Sequence, residues 1–127
     1  LLTLAISTAK GYLSAKQGQS PMIIVTETIQ IEELRQMATL FSGVLVKGVV
    51  DILRGYLALD AEMHSDLEKL LLEDGSQQMD LWGINLYPDQ TGDEFIEFDS
   101  MINMRPSQGN RTRSVENETT RLRIIEI

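Results

Sequence analysis

At 127 residues the chain has room for one domain and one core, and its 43% hydrophobic and 24% charged residues are those of an ordinary globular protein. It contains no cysteine, which removes disulfides, thiolate chemistry and cysteine-ligated zinc together and suits a reducing cytoplasm. A net charge of −8 argues against broad nucleic-acid binding through a basic surface, and no apolar run approaches the ~20 residues that a membrane-spanning helix needs.

The charge is unevenly spread. Residues 51–100 hold thirteen acids against Arg54 and Lys69, whereas from Met101 onward there are five arginines and three acids. An arginine cluster in an acidic chain points to a local anion contact or to an internal partner for the acidic half.

Residues 1–21 carry two lysines and no acid and end in a Gly-Gln-Ser-Pro linker. Their apolar block is brief and precedes the lysines, so an export signal is rejected. They read as an N-terminal extension outside a single domain of residues 22–127. The domain opens with the strand "MIIVTE", followed by a helix in which Ile31, Leu34, Met37, Ala38 and Phe41 make one apolar stripe, with Gly43 at its C-terminal end. The β-branched run in "VLVKGVVDI" favours a strand near 45–52, a turn at Leu53–Gly55 and a second strand near 56–62. A helix over 45–56 is the alternative, since Leu45, Val49, Ile52, Leu53 and Tyr56 would share a face. Ser65 and Glu68 have the capping-box spacing, which predicts a helix over 66–73 ending before Gly75. "DLWGINLY" alternates as a half-buried strand should. After a turn at 88–92, "EFIEFDSMINMR" alternates again, with Ile96, Phe98, Ile102 and Met104 inward. A polar loop then leads to a last helix from about Val115, with Leu122, Ile125 and Ile124 facing the core. The expected class is α+β, a single domain with an antiparallel-rich sheet and helices packed on it, in the order β-α-β-β-α-β-β-α.

The stretches "EMHSDLEKLLLEDGSQQMDLWGINLYP" and "IEFDSMINMRPSQGNRTRSVE" resemble domain-of-unknown-function family 5674, small prokaryotic proteins without an assigned activity. The resemblance runs from Met22 to the end and rests on His, Gly-Ser, Trp-Gly, Asn, Tyr-Pro and Arg-Pro elements. It implies a cytosolic stand-alone domain and supplies no activity. Where the family pattern has a glycine pair before Glu-x-His, this chain has Asp60 and Ala61, which puts a very tight bend there in question.

His64, the sole histidine, stands at the start of a helix. The helix dipole there favours the neutral imidazole, which can accept a proton. Asp66 and Glu62 flank it and would orient the ring. The plain alternative is a capped helix with His64 packed beside the cap. No metal site is expected: zinc would lack nitrogen and sulfur ligands, and the alternative is a carboxylate-rich Mg²⁺ or Mn²⁺ site made by His64 with Glu62 and Asp66. "INMRPSQGNRTR" places Arg105, Gln108, Asn110 and Arg111 in and around a glycine-containing loop, a donor set suited to a phosphate or carboxylate. The alternative is that Arg105 pairs internally with Asp99, Asp80 or Glu62.

The functional expectation is therefore a polar pocket with Glu62, His64 and Asp66 on one wall and Arg105, Gln108, Asn110 and Arg111 on the other. It would bind a small anionic ligand or a protein partner. The enzymatic alternative is a phosphoester hydrolase using His64 as acid or base, Asp66 as its orienter and an arginine as charge stabiliser. The third is a structural or regulatory subunit without pocket chemistry. The sequence leaves the cofactor unknown.

Overall fold

The computed structural model describes residues 9–12, 22–41 and 43–127. Most of the expected extension, residues 1–21, lies outside the described residues. Within it Ala9–Tyr12 (β1) runs antiparallel to Met22–Val25 (β2), with Tyr12 opposite Met22. The chain continues through Ile31–Phe41 (α1), Val46–Asp51 (β3), Tyr56–Leu59 (β4), His64–Glu73 (α2), Leu81–Leu86 (β5), Ile96–Glu97 (β6) and Glu118–Glu126 (α3). The strands form one antiparallel sheet in the order β1-β2-β4-β3-β5-β6. The α+β class is as expected, and residues 46–59 are a hairpin rather than a helix.

Helices lie on both faces. Leu34 and Ala38 of α1 and Ile124 of α3 pack on one face with Val46, Val50, Trp82 and Ile84. Leu67, Leu70 and Leu71 of α2 pack on the other with Ile24, Val49, Ala58 and Leu81. This double cover corrects the reading of 81–86 as half-buried, because every residue of β5 is buried. A strand sandwiched between layers has no solvent face on which to place its polar positions.

The β3–β4 turn is built by Asp51, whose Oδ1 accepts the N–H groups of Leu53 and Arg54 at 2.9 Å. Its Oδ2 accepts from Arg54 Nε at 3.0 Å and from the Ser76 hydroxyl at 2.6 Å. Burial pushes this carboxyl up, but the bonds from Ser76 and Arg54 outweigh it and hold it below its usual value. The same bonds tie the turn to the end of α2. There Gly75 at φ +106° closes a Schellman motif through Ser76 N–H on Leu71 O at 2.9 Å.

Three expectations need correction. The capping box does not form: α2 begins at His64 with Met63 as N-cap and no side-chain cap, so Ser65 already lies inside the first turn. The second half of the β5–β6 hairpin is not one long strand. After Ile96 and Glu97 pair with Leu86 and Asn85, the chain leaves the sheet and makes a 3-10 turn at Met101–Asn103. Met104 is consequently exposed and Asn103 buried, the reverse of the simple alternation. The last helix presents Ile124 inward, 3% exposed, while Leu122 and Ile125 are 54% and 57% exposed. Its N-cap is Asn117, whose side chain accepts from Thr120 N–H. The buried Val115 belongs to the loop before it.

The bend in question at Asp60 is present, with an aspartate carrying φ +76°, a conformation that glycine adopts freely and other residues adopt at a cost. Its carboxyl is buried, which raises it to about 6 from 3.8. Because the folded value lies above the unfolded one, Asp60 costs no electrostatic stability below about pH 4. The penalty develops as pH rises from about 4 to about 6 and is complete above that. Asp60→Asn, which keeps a residue tolerant of positive φ, is expected to raise unfolding free energy at pH 7.5 by on the order of 1–2 kcal/mol. Urea unfolding of both proteins should show the gain vanish at pH 4, and a pH-independent difference would count against the assignment.

Candidate functional site

His64 stands at the first position of α2, on the face of the sheet that α2 covers. Its Nε2 lies 2.8 Å from the carbonyl oxygen of Ile84. A carbonyl only accepts, so Nε2 carries the proton and Nδ1 is the lone-pair nitrogen. Burial lowers the imidazole below its usual value, against the opposing bond to Ile84, and the nearby Lys47 ammonium lowers it further. The ring is thus a neutral latch between the head of α2 and the middle of β5. Its anchor is a main-chain oxygen and not Asp66, whose side chain, like that of Glu62, is exposed.

Lys47, Asn85 and Glu97 are opposite one another on β3, β5 and β6. The carboxamide of Asn85 donates to Glu97 Oε1 at 2.8 Å and to the Asp99 carbonyl at 3.3 Å. Glu97 Oε1 also accepts from the Tyr87 hydroxyl at 3.0 Å. Asn85 Oδ1 is buried without a hydrogen-bond partner. The Asn85 side chain nevertheless lies near enough to the His64 imidazole to act on it, opposing the lowering by burial. Among the described residues no group of three or more His, Cys, Asp or Glu side chains is placed to hold a metal ion.

The arginine loop is committed to the fold. Arg105 Nε donates to Ile102 O at 3.0 Å, and Nη1 donates to Gln78 O at 2.7 Å and Gln108 Oε1 at 3.1 Å. Its Nη2 donates to Leu81 O, and the guanidinium lies 4.4 Å from the centroid of the Trp82 ring. It therefore pairs with none of Asp99, Asp80 or Glu62; Asp99 is bridged by Arg113 at 2.7 Å. Gln108 Nε2 donates to Met79 O at 3.1 Å. The Asn110 amide reaches the carbonyls of Asn103, Thr112 and Ser114, and its Oδ1 accepts from Glu116 N–H. Arg111 is exposed, with its main-chain N–H on Glu116 at 2.7 Å. His64 and Arg105 hold β5 at Ile84 and Leu81, about 10 Å apart at the usual rise per residue. The expected two-walled pocket is not assembled: one wall is a latch, the other a splint.

The open space is on the opposite face of the sheet. A cleft of ≈ 1210 Å³ lies between α1 and α3, with Val50, Leu57, Ile84 and Leu86 among the residues lining it. Phe95, Ile96 and Phe98 line it from the segment after β5, and Ile31 and Ile124 from the helices. Polar residues also reach it: Arg35, Asp93, Glu118 and Arg121. None of these was singled out from the sequence. Ile31, Ile96, Phe98, Ile124 and Ile125 had been read as facing inward, and such a stripe does not reveal where two packed helices leave a cleft between them.

A family model described as "Protein of unknown function (DUF5674)" matches residues 23–127. No curated protein and no solved structure matches the chain. Among the described residues no helix is long and apolar enough to cross a membrane.

Two outcomes follow from these contacts. The His64 ring should titrate below 6.5 by proton NMR, with nitrogen shifts of the Nε2–H tautomer at neutral pH, and a midpoint above 6.5 would contradict the latch. Arg105→Lys keeps the charge but cannot span Ile102, Gln78, Gln108 and Leu81 at once. It should lower unfolding free energy by about 1–3 kcal/mol, measured by denaturant titration, whereas a neutral substitution would argue for a solvated arginine.

Proposed function

Since the chain belongs to the DUF5674 family of proteins of unknown function, we propose from its geometry that it is a ligand-binding domain whose site is the cleft between α1 and α3. The observation that carries this reading is the cleft itself: ≈ 1210 Å³ over the apolar face of the sheet. Ligand pockets combine an apolar lining with a few placed polar groups, and they occupy concavities of this kind or smaller. Val50, Leu57, Ile84 and Leu86 at its base are buried, so the apolar surface offered to a ligand is that of Ile31, Phe95, Ile96, Phe98 and Ile125 around it.

Binding is favoured over acid–base catalysis for a reason of placement. His64 spends its protonated nitrogen on Ile84 O, no carboxylate orients it, and it lies on the face opposite the cleft. An acid or base must reach the proton it moves, and the imidazole is on the other side of the sheet from the cleft.

A neutral fluorophore, N-phenyl-1-naphthylamine, tests the apolar lining without help from charge. It should bind once per chain and shift the methyl resonances of Ile31, Ile84, Ile96 and Ile124. Ile125→Trp, at an exposed residue lining the cleft, should weaken it about tenfold by filling space, with the unfolding midpoint unchanged. Absence of binding, or shifts confined to residues around His64, would overturn the proposal.

A further inference from the structure

Resting on the cleft as the binding site, we infer that its ligand is a monocarboxylate with an apolar body and that Arg121 receives the carboxylate. Each flanking helix brings one arginine to the cleft, and the two are in different states. Arg35 of α1 donates through Nε to Asp89 at 3.2 Å and through Nη1 to Glu32 at 3.0 Å. Its charge is matched by two carboxylates. Arg121 of α3 donates through Nε to Val115 O at 2.5 Å and through Nη2 to Ser114 Oγ at 2.7 Å. Both acceptors are neutral, and no carboxylate pairs with Arg121 among the described residues. Its guanidinium lies 4.6 Å from the centroid of the Phe98 ring, and Phe98, Ser114 and Arg121 all line the cleft.

The arrangement is that of a receptor held ready. Two neutral acceptors and an aromatic face fix the plane of the guanidinium, so little freedom is lost when a ligand arrives. Two of its five N–H groups are used, which leaves three, enough for the two-pronged bond that a carboxylate makes. A half-buried cation beside apolar walls attracts an anion more strongly than one in open water. The cleft limits how much negative charge it accepts, because Asp93 and Glu118 also line it. A single charge satisfies Arg121, and a second would meet those carboxylates. Beyond the head, the part-exposed Ile31, Phe95, Ile96 and Phe98 and the exposed Ile125 offer apolar surface, which calls for an acyl or aryl body.

Calorimetric titration of the full chain with decanoate, decan-1-ol and decylamine separates head from tail. Decanoate should bind about tenfold tighter than decan-1-ol, with decylamine weakest. Arg121→Gln should bring decanoate to the level of decan-1-ol and leave decan-1-ol within about threefold of its original affinity. If decanoate and decan-1-ol bind alike to the unaltered chain, or Arg121→Gln keeps the preference, the carboxylate inference fails and the cleft stands. If none of the three binds, the cleft reading fails with it. Should Arg121→Gln not fold, the unaltered chain still decides: the advantage of decanoate must shrink as salt rises, and an advantage indifferent to salt overturns the inference.

Discussion

The carboxamide of Asn103 accepts the N–H of Gly83 at 2.8 Å and donates to its C=O at 2.9 Å, and so stands in for one residue of a missing strand. β5 needs that substitute. It is bonded to β3 along its length, but β6 covers its other edge only at Asn85 and Leu86. With both faces under helices, an unpaired peptide group on β5 would be buried, at a cost of about 1–3 kcal/mol. Asn103 answers for Gly83 and Arg105 for Leu81. Gly83 is the residue that permits this, because a side-chain carbon there would lie 2.5 Å from Cβ of Ser100.

The loop that looked like an anion receptor is the splint on that edge. Arg105 and Asn110 exchange main-chain bonds at 2.7 and 3.1 Å, and Gly109 at φ +79° turns the chain between them. The donors of Arg105, Gln108 and Asn110 point back at carbonyls and one amide oxygen, where they satisfy the ends of a short 3-10 turn and the start of β5. The same residue types that recognise an external oxyanion recognise a row of backbone oxygens equally well.

On the far side of β5 the division of labour is different. α2 is pinned at both ends, by His64 on Ile84 and by the Asp51–Ser76–Arg54 network, and its face is closed. α1 and α3 both pack on the other face, with a cleft between them. Arg121, stacked on Phe98 and paired with no acid among the described residues, lines that cleft. The sheet is thus covered by α2 on one face and by α1 and α3, with a cleft between them, on the other.

Much of the architecture was legible in the chain. The stripe Ile31, Leu34, Met37, Ala38 reports a helix because its period matches one face of 3.6 residues per turn, and the β-branched run at 46–50 reports a strand because branched side chains suit a pleat. The absence of cysteine and the distribution of charge set bounds that needed no coordinates. What lay beyond the sequence was always a matter of which partner a group would find. Leu122, Ile124 and Ile125 are alike in hydropathy, and only the angle at which α3 meets the sheet sends Ile124 inward. Arg105 and Arg121 are the same residue a turn of chain logic apart; one is consumed by β5 and the other left with neutral acceptors, because hydrogen bonds are claimed by distance in space. Local pattern determines what each segment can become, while tertiary packing decides which of its polar groups remain unclaimed, and a binding site is made from those.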